Sequence, residues 1–258
     1  MQGIRLTLAY DGADFAGWAR QPGQRTVQGT VEDAIATMNG APVDLRAASR
    51  TDAGVHALGQ VVAFDASREI PELGWLHGLN SALPDDVVVK SSVACAVGYN
   101  PRFDTIGKTY RYLVLRGRIR DPLLRKASWY LGQRKDGREL DLGAMREAAA
   151  SLMGTHDFQA FRAADDDREN TVRTLSRIEL EDGWAGEPRL LAFEVDGNAF
   201  MKNMVRIIVG TLIAVGRGTL DTQDVQTLLS PQGRREHAGP TAPSFGLTLV
   251  TTRLGRFG

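Results

Sequence analysis

One cysteine, Cys95, in 258 residues leaves no partner for an internal disulfide and too few thiols for a cysteine-built zinc site. The histidines are scarce as well. His56, His77, His156 and His237 show neither HxH nor HxxxH spacing, so no metal site is spelled out along the chain and none is expected. No stretch approaches the roughly 20 apolar residues that a membrane helix needs. The opening MQGIRLTLAYDG has neither the basic region nor the apolar block of a secretory leader, and a cytoplasmic protein without membrane attachment is expected. Excess charge of either sign is also missing. With 31 basic and 31 acidic side chains the net charge is zero, which excludes a positively coated protein binding nucleic acid indiscriminately but permits a local basic face. Two apparent nucleotide motifs fail. Gly107-Lys108-Thr109 lacks the upstream glycine of a phosphate loop, having Arg102 there, and AVGRGTL is not GxGxxG and follows a helix rather than a strand. No nucleotide cofactor is expected.

What is present is a soluble, globular composition, 43% hydrophobic and 24% charged, long enough for one large domain or two ordinary ones. Ile4, Leu6, Leu8 and Tyr10 alternate as in a strand. Val27, Val31, Ala34, Ile35 and Met38 recur at helical spacing between a Thr26 N-cap and an Asn39-Gly40 stop. Strands at 61–64 and 87–89 and a helix over 71–80 complete a split β-α-β unit in the first hundred residues. A second set opens at Lys108, where Tyr110, Tyr112 and Val114 share a strand face. A helix with Leu142, Met145, Ala149 and Leu152 follows, closed by Gly154. Strands at 175–180 and 190–195, turn material at Asp196-Gly197-Asn198, an apolar helix over 201–215 and a last strand over 246–252 follow in turn. The mixture predicts an α+β fold with a largely antiparallel sheet, divided near residues 99–104 into halves 1–104 and 105–258.

Three features carry potential chemistry. In SRTDAGVHALGQ, the segment Thr51-Asp52-Ala53-Gly54 is built of turn formers. Arg50, His56 and the strand behind the loop also suit the display of a catalytic carboxylate, and both readings stand on residue type. Arg206 lies in a helix apolar nearly all round, where a buried guanidinium needs a carboxylate partner; it could instead share an exposed edge with Lys202. A carboxylate so paired would stay ionised, as a nucleophile requires. Between Lys108 and Lys126 the chain holds Lys108, Arg111, Arg116, Arg118, Arg120, Arg125 and Lys126 against the single acid Asp121, with Tyr110 and Tyr112 interleaved. Such a stripe suits phosphate contact and base stacking, or simple solvation. The acidic run ADDDREN balances it in the net charge.

DFAGWARQP, TVQGTVEDAI, SRTDAGVHALGQVV, LNSALPDDVVV, RFDTIGKTYRYLV, GTHDFQAF, VRTLSRIEL, GNAFMKNMVRIIVGTLIAVGRG and APSFGLTLV span nearly the whole chain. In this order they resemble the TruA family of pseudouridine synthases, with RTDAGVH the most specific block. The resemblance implies isomerisation of uridine to pseudouridine at positions 38, 39 and 40 of the tRNA anticodon arm, with no metal or organic cofactor. It implies a homodimer, each chain made of two RRM-like, ferredoxin-like halves with a joined sheet. By the same resemblance Asp52 is the nucleophile, Tyr110 stacks on the target base and moves a proton, and Arg206 pairs with Asp52. Arg50 opens the RNA stem, Leu247 forms an apolar wall against the base, and Lys108 and Arg111 fall among the RNA contacts. Departures lie at Ala19, at PRFDTIG and at Lys202-Asn203, where the family commonly has glutamine, an Ala-Arg-Phe-Ser-Ala-like run and histidine; they bear on RNA contacts more than on Asp52, Tyr110 and Arg206.

The reaction breaks the bond from C1′ to N1 and rejoins the ring through C5. Attack by Asp52 on C1′, its addition to the ring, and removal of the C2′ proton all remain open. A non-catalytic RNA-binding protein of RRM-like units is the rival from another class. An aspartate-nucleophile hydrolase of a small sugar is a third reading, for which the basic stripe and its tyrosines have no use.

Overall fold

The computed structural model describes residues 1–133 and 136–255. The chain begins β1 (Gln2–Tyr10), α1 (Val27–Asn39), β2 (Arg46–Ala47), β3 (His56–Ala66), α2 (Glu72–Ala82), β4 (Val87–Cys95) and α3 (Pro101–Asp104). It continues with β5 (Thr105–Gly117), β6 (Trp129–Gly132), α4 (Leu142–Ser151), β7 (Gly154–Asp157), β8 (Val172–Asp182), β9 (Leu190–Gly197), α5 (Met204–Gly216), α6 (Thr222–Leu228) and β10 (Leu247–Leu254). Two compact units result. Met1–Ile106 forms one, joined by the chain from Thr248 onward, and Gly107–Leu247 forms the other. Where sequence order suggested halves at 1–104 and 105–258, the last strand returns to the first unit, with Thr248 opposite His56 and Leu249 opposite Ala57 in a parallel pairing. A parallel partner far away in sequence leaves no local trace.

In the first unit, α1 forms where its apolar residues recur every three or four positions. Thr26 caps it with a hydroxyl that accepts from the Gly29 N–H, and Gly40 ends it at φ 77, a left-handed value that glycine reaches without a Cβ clash. β3 runs antiparallel to β1, Ile4 facing Phe64 and Leu6 facing Val62, and β4 flanks β1 on the other side. These four side chains are fully buried, and the Trp75 ring of α2 meets Phe64 edge-on at 5.1 Å. One helix-bearing face is thereby sealed. β2 adds two residues against β3, giving a β-α-β-β-α-β order with strands arranged β4-β1-β3-β2 and β10 on the first residues of β3. β4 continues to Cys95, beyond the expected 87–89, because backbone pairing with β1 carries the polar Lys90-Ser91-Ser92 that breaks the apolar run.

In the second unit the order is β6-β5-β9-β8-β7, antiparallel except for β5 with β6. Of the residues of α5, all but Arg206 are buried. Gly210 lets that helix touch another segment, since a Cβ there would stand 1.7 Å from the Pro240 carbonyl oxygen. The helix starts at Met204 rather than the expected Met201, because Asn203 has φ 61 and a left-handed residue cannot continue a right-handed helix. Likewise Asp196 and Gly197 pair within β9 instead of forming a turn, and Gly154 opens β7 after α4 has ended at Ser151.

Candidate active site

Asp52 sits half-buried in a loop that leads into β3. The Val55 N–H donates to the Asp52 carbonyl at 3.1 Å, and Gly54 at φ 78 supplies the positive φ of a type II turn. The turn reading therefore holds for the backbone around Asp52, and it leaves the carboxylate on a short, tied segment. Each side of that segment is fastened. The Trp18 N–H donates to the Thr51 carbonyl at 2.9 Å, and the Gly54 N–H donates to the Phe15 carbonyl at 3.3 Å. Gln60, fully buried on β3, donates from Nε2 to the Ser49 carbonyl at 2.7 Å. The backbones approach closely at two points: a Cβ on Gly12 would lie 1.9 Å from the Val55 carbonyl oxygen, too close for any side chain, and one on Gly17, which has φ 100, would lie 3.0 Å from that of Thr51. Arg50 is exposed beside the loop. His56 accepts at Nδ1 from the Gly12 N–H at 3.2 Å, so its ring ties the loop end to residue 12.

The second unit holds Tyr110, Arg206, Lys108, Arg111 and Leu247. Tyr110 lies on β5 opposite Val195, is buried, and meets the Phe200 ring edge-on at 5.1 Å. Three residues past Phe200, Asn203 turns the chain into α5. Its Oδ1 accepts from Arg206 Nη1 at 2.7 Å while Arg206 Nε donates to the Ala242 carbonyl at 2.6 Å. The segment 200–206 thus touches Tyr110 at one end and orients Arg206 at the other. Its path is fixed by residues 163–168. The Ala163 N–H donates to the Lys202 carbonyl at 3.1 Å, the Lys202 N–H donates to Asp166 Oδ2 at 2.9 Å, and Lys202 Nζ pairs with Asp165 at 2.6 Å. Burial works to raise the Asp166 pKa, but the N–H groups of Lys202 and Arg168 outweigh it and hold the carboxyl below the usual aspartate range.

Leu247 is buried at the start of β10, just after Gly246, where a Cβ would come within 2.6 Å of the Tyr112 ring. Tyr112 donates to the Pro243 carbonyl at 2.7 Å, and burial drives its phenol pKa far above the ordinary tyrosine value against a smaller opposing pull from Arg206. Tyr112 is therefore placed as a buried hydrogen-bond donor to the Pro243 carbonyl.

The basic stripe is not one surface. Arg111 is held by Glu194 and lies 4.9 Å over the Trp184 ring, and Arg116 pairs with Asp182 and donates to the Pro188 carbonyl. Only in the loop beyond β5 do Arg118, Arg120 and Arg125 stand exposed, with Ile119 and Leu123 between them. Around Arg111, Arg177 donates to Asp196, Glu194 and Glu179, while Thr109 bonds Asp196, so charges alternate across β5, β9 and β8. Sequence reading missed Tyr10, Thr51, Gln60, Asp166 and Asn203 as supports of the candidate residues. Only Asn203 left a signal, as a residue tolerant of left-handed backbone standing before an apolar helix. Among the described residues no cluster of three or more His, Cys, Asp or Glu could hold a metal ion, and no helix is long and apolar enough to cross a membrane.

Comparison with known proteins places this arrangement. The family model described as tRNA pseudouridine synthase matches residues 7–104 and 148–253, which include Asp52 and Arg206. A tRNA pseudouridine synthase A of Geobacter sulfurreducens is 45% identical over 253 residues, covering 98% of this chain and 100% of that protein. That of Myxococcus xanthus is 43% identical over 249 residues, 96% of this chain and 91% of that one. That of Acetivibrio thermocellus is 40% identical over 250 residues, 97% and 98%. With most of its length matched by the family model and nearly all of it aligned to these enzymes, the chain belongs to the tRNA pseudouridine synthase family.

Proposed function

We propose that the chain isomerises uridine to pseudouridine at positions 38, 39 and 40 of the tRNA anticodon arm, with Asp52 as the nucleophile. The supporting observation is Asp52 itself: a half-buried carboxylate on a turn fastened at Ser49, Thr51 and Gly54, within a chain that aligns end to end with tRNA pseudouridine synthases. Preorganisation of this kind lowers the cost of bringing a nucleophile to the reacting carbon. Conversion of uridine is an internal transfer. The bond from C1′ to N1 breaks, the uracil turns, a bond from C1′ to C5 forms, and the C5 proton leaves as N1 gains one, so atoms and charge balance without an external reactant.

A base in the anticodon stem is reached only after flipping out of its stack, at a cost of a few kcal/mol repaid by the pocket that receives it. Tyr110 is assigned to stack on that base and move a proton. Arg206 is assigned to keep the Asp52 carboxylate ionised. Arg50 is assigned to fill the space vacated in the stem and Leu247 to wall the base, with Lys108 and, beside its pairing with Glu194, Arg111 on the RNA. The enzyme works in the cytoplasm as a homodimer. Asp52→Asn should lower turnover of unmodified tRNA by at least about a thousandfold while the tRNA Kd stays within about threefold, because a nucleophile acts on the barrier rather than on affinity. Pseudouridine mapped along the product tRNA gives the positions. Substantial turnover by Asp52→Asn would remove the aspartate from its role, and product outside the anticodon arm would remove the assigned positions.

A further inference from the structure

We infer that Tyr10 is a positioning residue for the nucleophile loop, acting through its hydroxyl on Thr51; the inference rests on Asp52 being the nucleophile, as proposed above. The two hydroxyl oxygens lie 2.8 Å apart across 41 positions of sequence. Tyr10 is 5% and Thr51 7% exposed, so water does not substitute for either partner. Tyr10 is itself fixed. It ends β1, where it is paired opposite Ala57 of β3 and Val87 of β4, and its ring packs against Trp18 with centroids 6.2 Å apart.

Thr51 is held a second time by the same segment, through the Trp18 N–H on its carbonyl. With side chain and main chain both tied, the peptide that leads into Asp52 cannot rotate without breaking a buried hydrogen bond. Gly12 and Gly17 bring the two backbones close enough for this, and no side chain larger than hydrogen fits at Gly12. Tyr10 is therefore placed to set the direction of the Asp52 carboxylate without touching RNA. Losing that control misplaces a reacting atom by a fraction of an ångström to about 1 Å, which costs about tenfold to a hundredfold in rate.

The test compares Tyr10→Phe, Thr51→Val and the double variant with wild type, following tritium released from uracil C5 of tRNA, at a temperature well below each variant's Tm. The expected result is a fall in kcat of about tenfold to a hundredfold for each single variant, with KM for tRNA within about twofold. The double variant should fall no further than the worse single variant, because both delete one interaction. Thr51→Ser, which keeps the hydroxyl, should hold kcat near wild type. A folded Tyr10→Phe with kcat within twofold of wild type overturns the inference, as do losses that multiply in the double variant. If Tyr10→Phe does not fold, Thr51→Val against Thr51→Ser decides in the same way. Asp52→Asn run alongside separates the two claims: turnover surviving there defeats the nucleophile reading itself, whereas an inactive Asp52→Asn beside a fully active Tyr10→Phe defeats only the positioning role.

Discussion

Asn203 has φ 61, a conformation that costs most residues with a Cβ about 1–2 kcal/mol relative to glycine and asparagine less, and its amide oxygen accepts from Arg206. The strain and the hydrogen bond can be separated. Asn203→Gly relieves the backbone while deleting the acceptor, so Tm should stay near wild type and turnover should drop several-fold as Arg206 loses one of its anchors. Asn203→Ala keeps the strain and loses the acceptor, and should be the less stable of the two by about 1 kcal/mol in denaturant melts. Equal activity of wild type and Asn203→Gly would show that Arg206 is aimed without the Asn203 amide. At this scale the sequence was informative where chemistry is local: RTDAGVH spelled out both a turn and a carboxylate, and the turn is there. It was silent on Tyr10 and Thr51, because a hydroxyl pair separated by 41 positions has no signature along the chain.

Elements were legible wherever a hydrophobic period ran undisturbed. The helix from Val27 and the strand pair Ile4–Tyr10 and Val61–Phe64 lie where alternation and caps put them. Short β2, β6 and β7 were not, since four residues or fewer give no period and each exists only by pairing with a longer neighbour. The start of α5 belongs to the same class: it is set by the left-handed Asn203, next to a Lys202 whose backbone Ala163 and Asp166 hold, and not by the apolar run. Asp166 is the buried carboxylate of that clamp, and its pH dependence has a definite sign. Its folded pKa is depressed, so its contribution is present above the unfolded aspartate value of about 3.9 and is lost as pH falls through the lower folded value. Asp166→Asn should therefore cost about 1–3 kcal/mol at pH 7, from a lost acceptor and an amide N–H facing the Lys202 or Arg168 N–H. The difference from wild type should shrink as pH drops below about 4. Thermal melts of both proteins between pH 3 and pH 7 check it; a gap independent of pH would mean that the carboxylate's charge contributes nothing.

For the whole molecule, the proposed RNA contacts turn on which cations are left exposed. Net charge is zero, Arg111 and Arg116 are paired with Glu194 and Asp182, and the exposed cations of the stripe are gathered at Arg118, Arg120 and Arg125. Replacing those three by alanine should weaken tRNA binding and reduce the slope of log K against log salt by up to about three, whereas Arg116→Ala should leave the slope unchanged. An unchanged slope for the triple variant would move the phosphate contacts elsewhere. Sedimentation equilibrium should return the mass of two chains, and a monomer at assay concentration would end the homodimer proposal. By itself the sequence determined the α+β class, the placement of the long helices and strands, and the ordered motifs that tie the chain to one enzyme family, because these rest on local period, turn chemistry and residue identity. Only the tertiary structure decided that the final strand returns to the first unit, that part of a basic run is spent on ion pairs, and that Tyr10 and Asp166 stand behind the candidate residues. Each of these is a pairing between groups distant along the chain, made possible by burial and close backbone approach, and neither leaves a mark in one dimension.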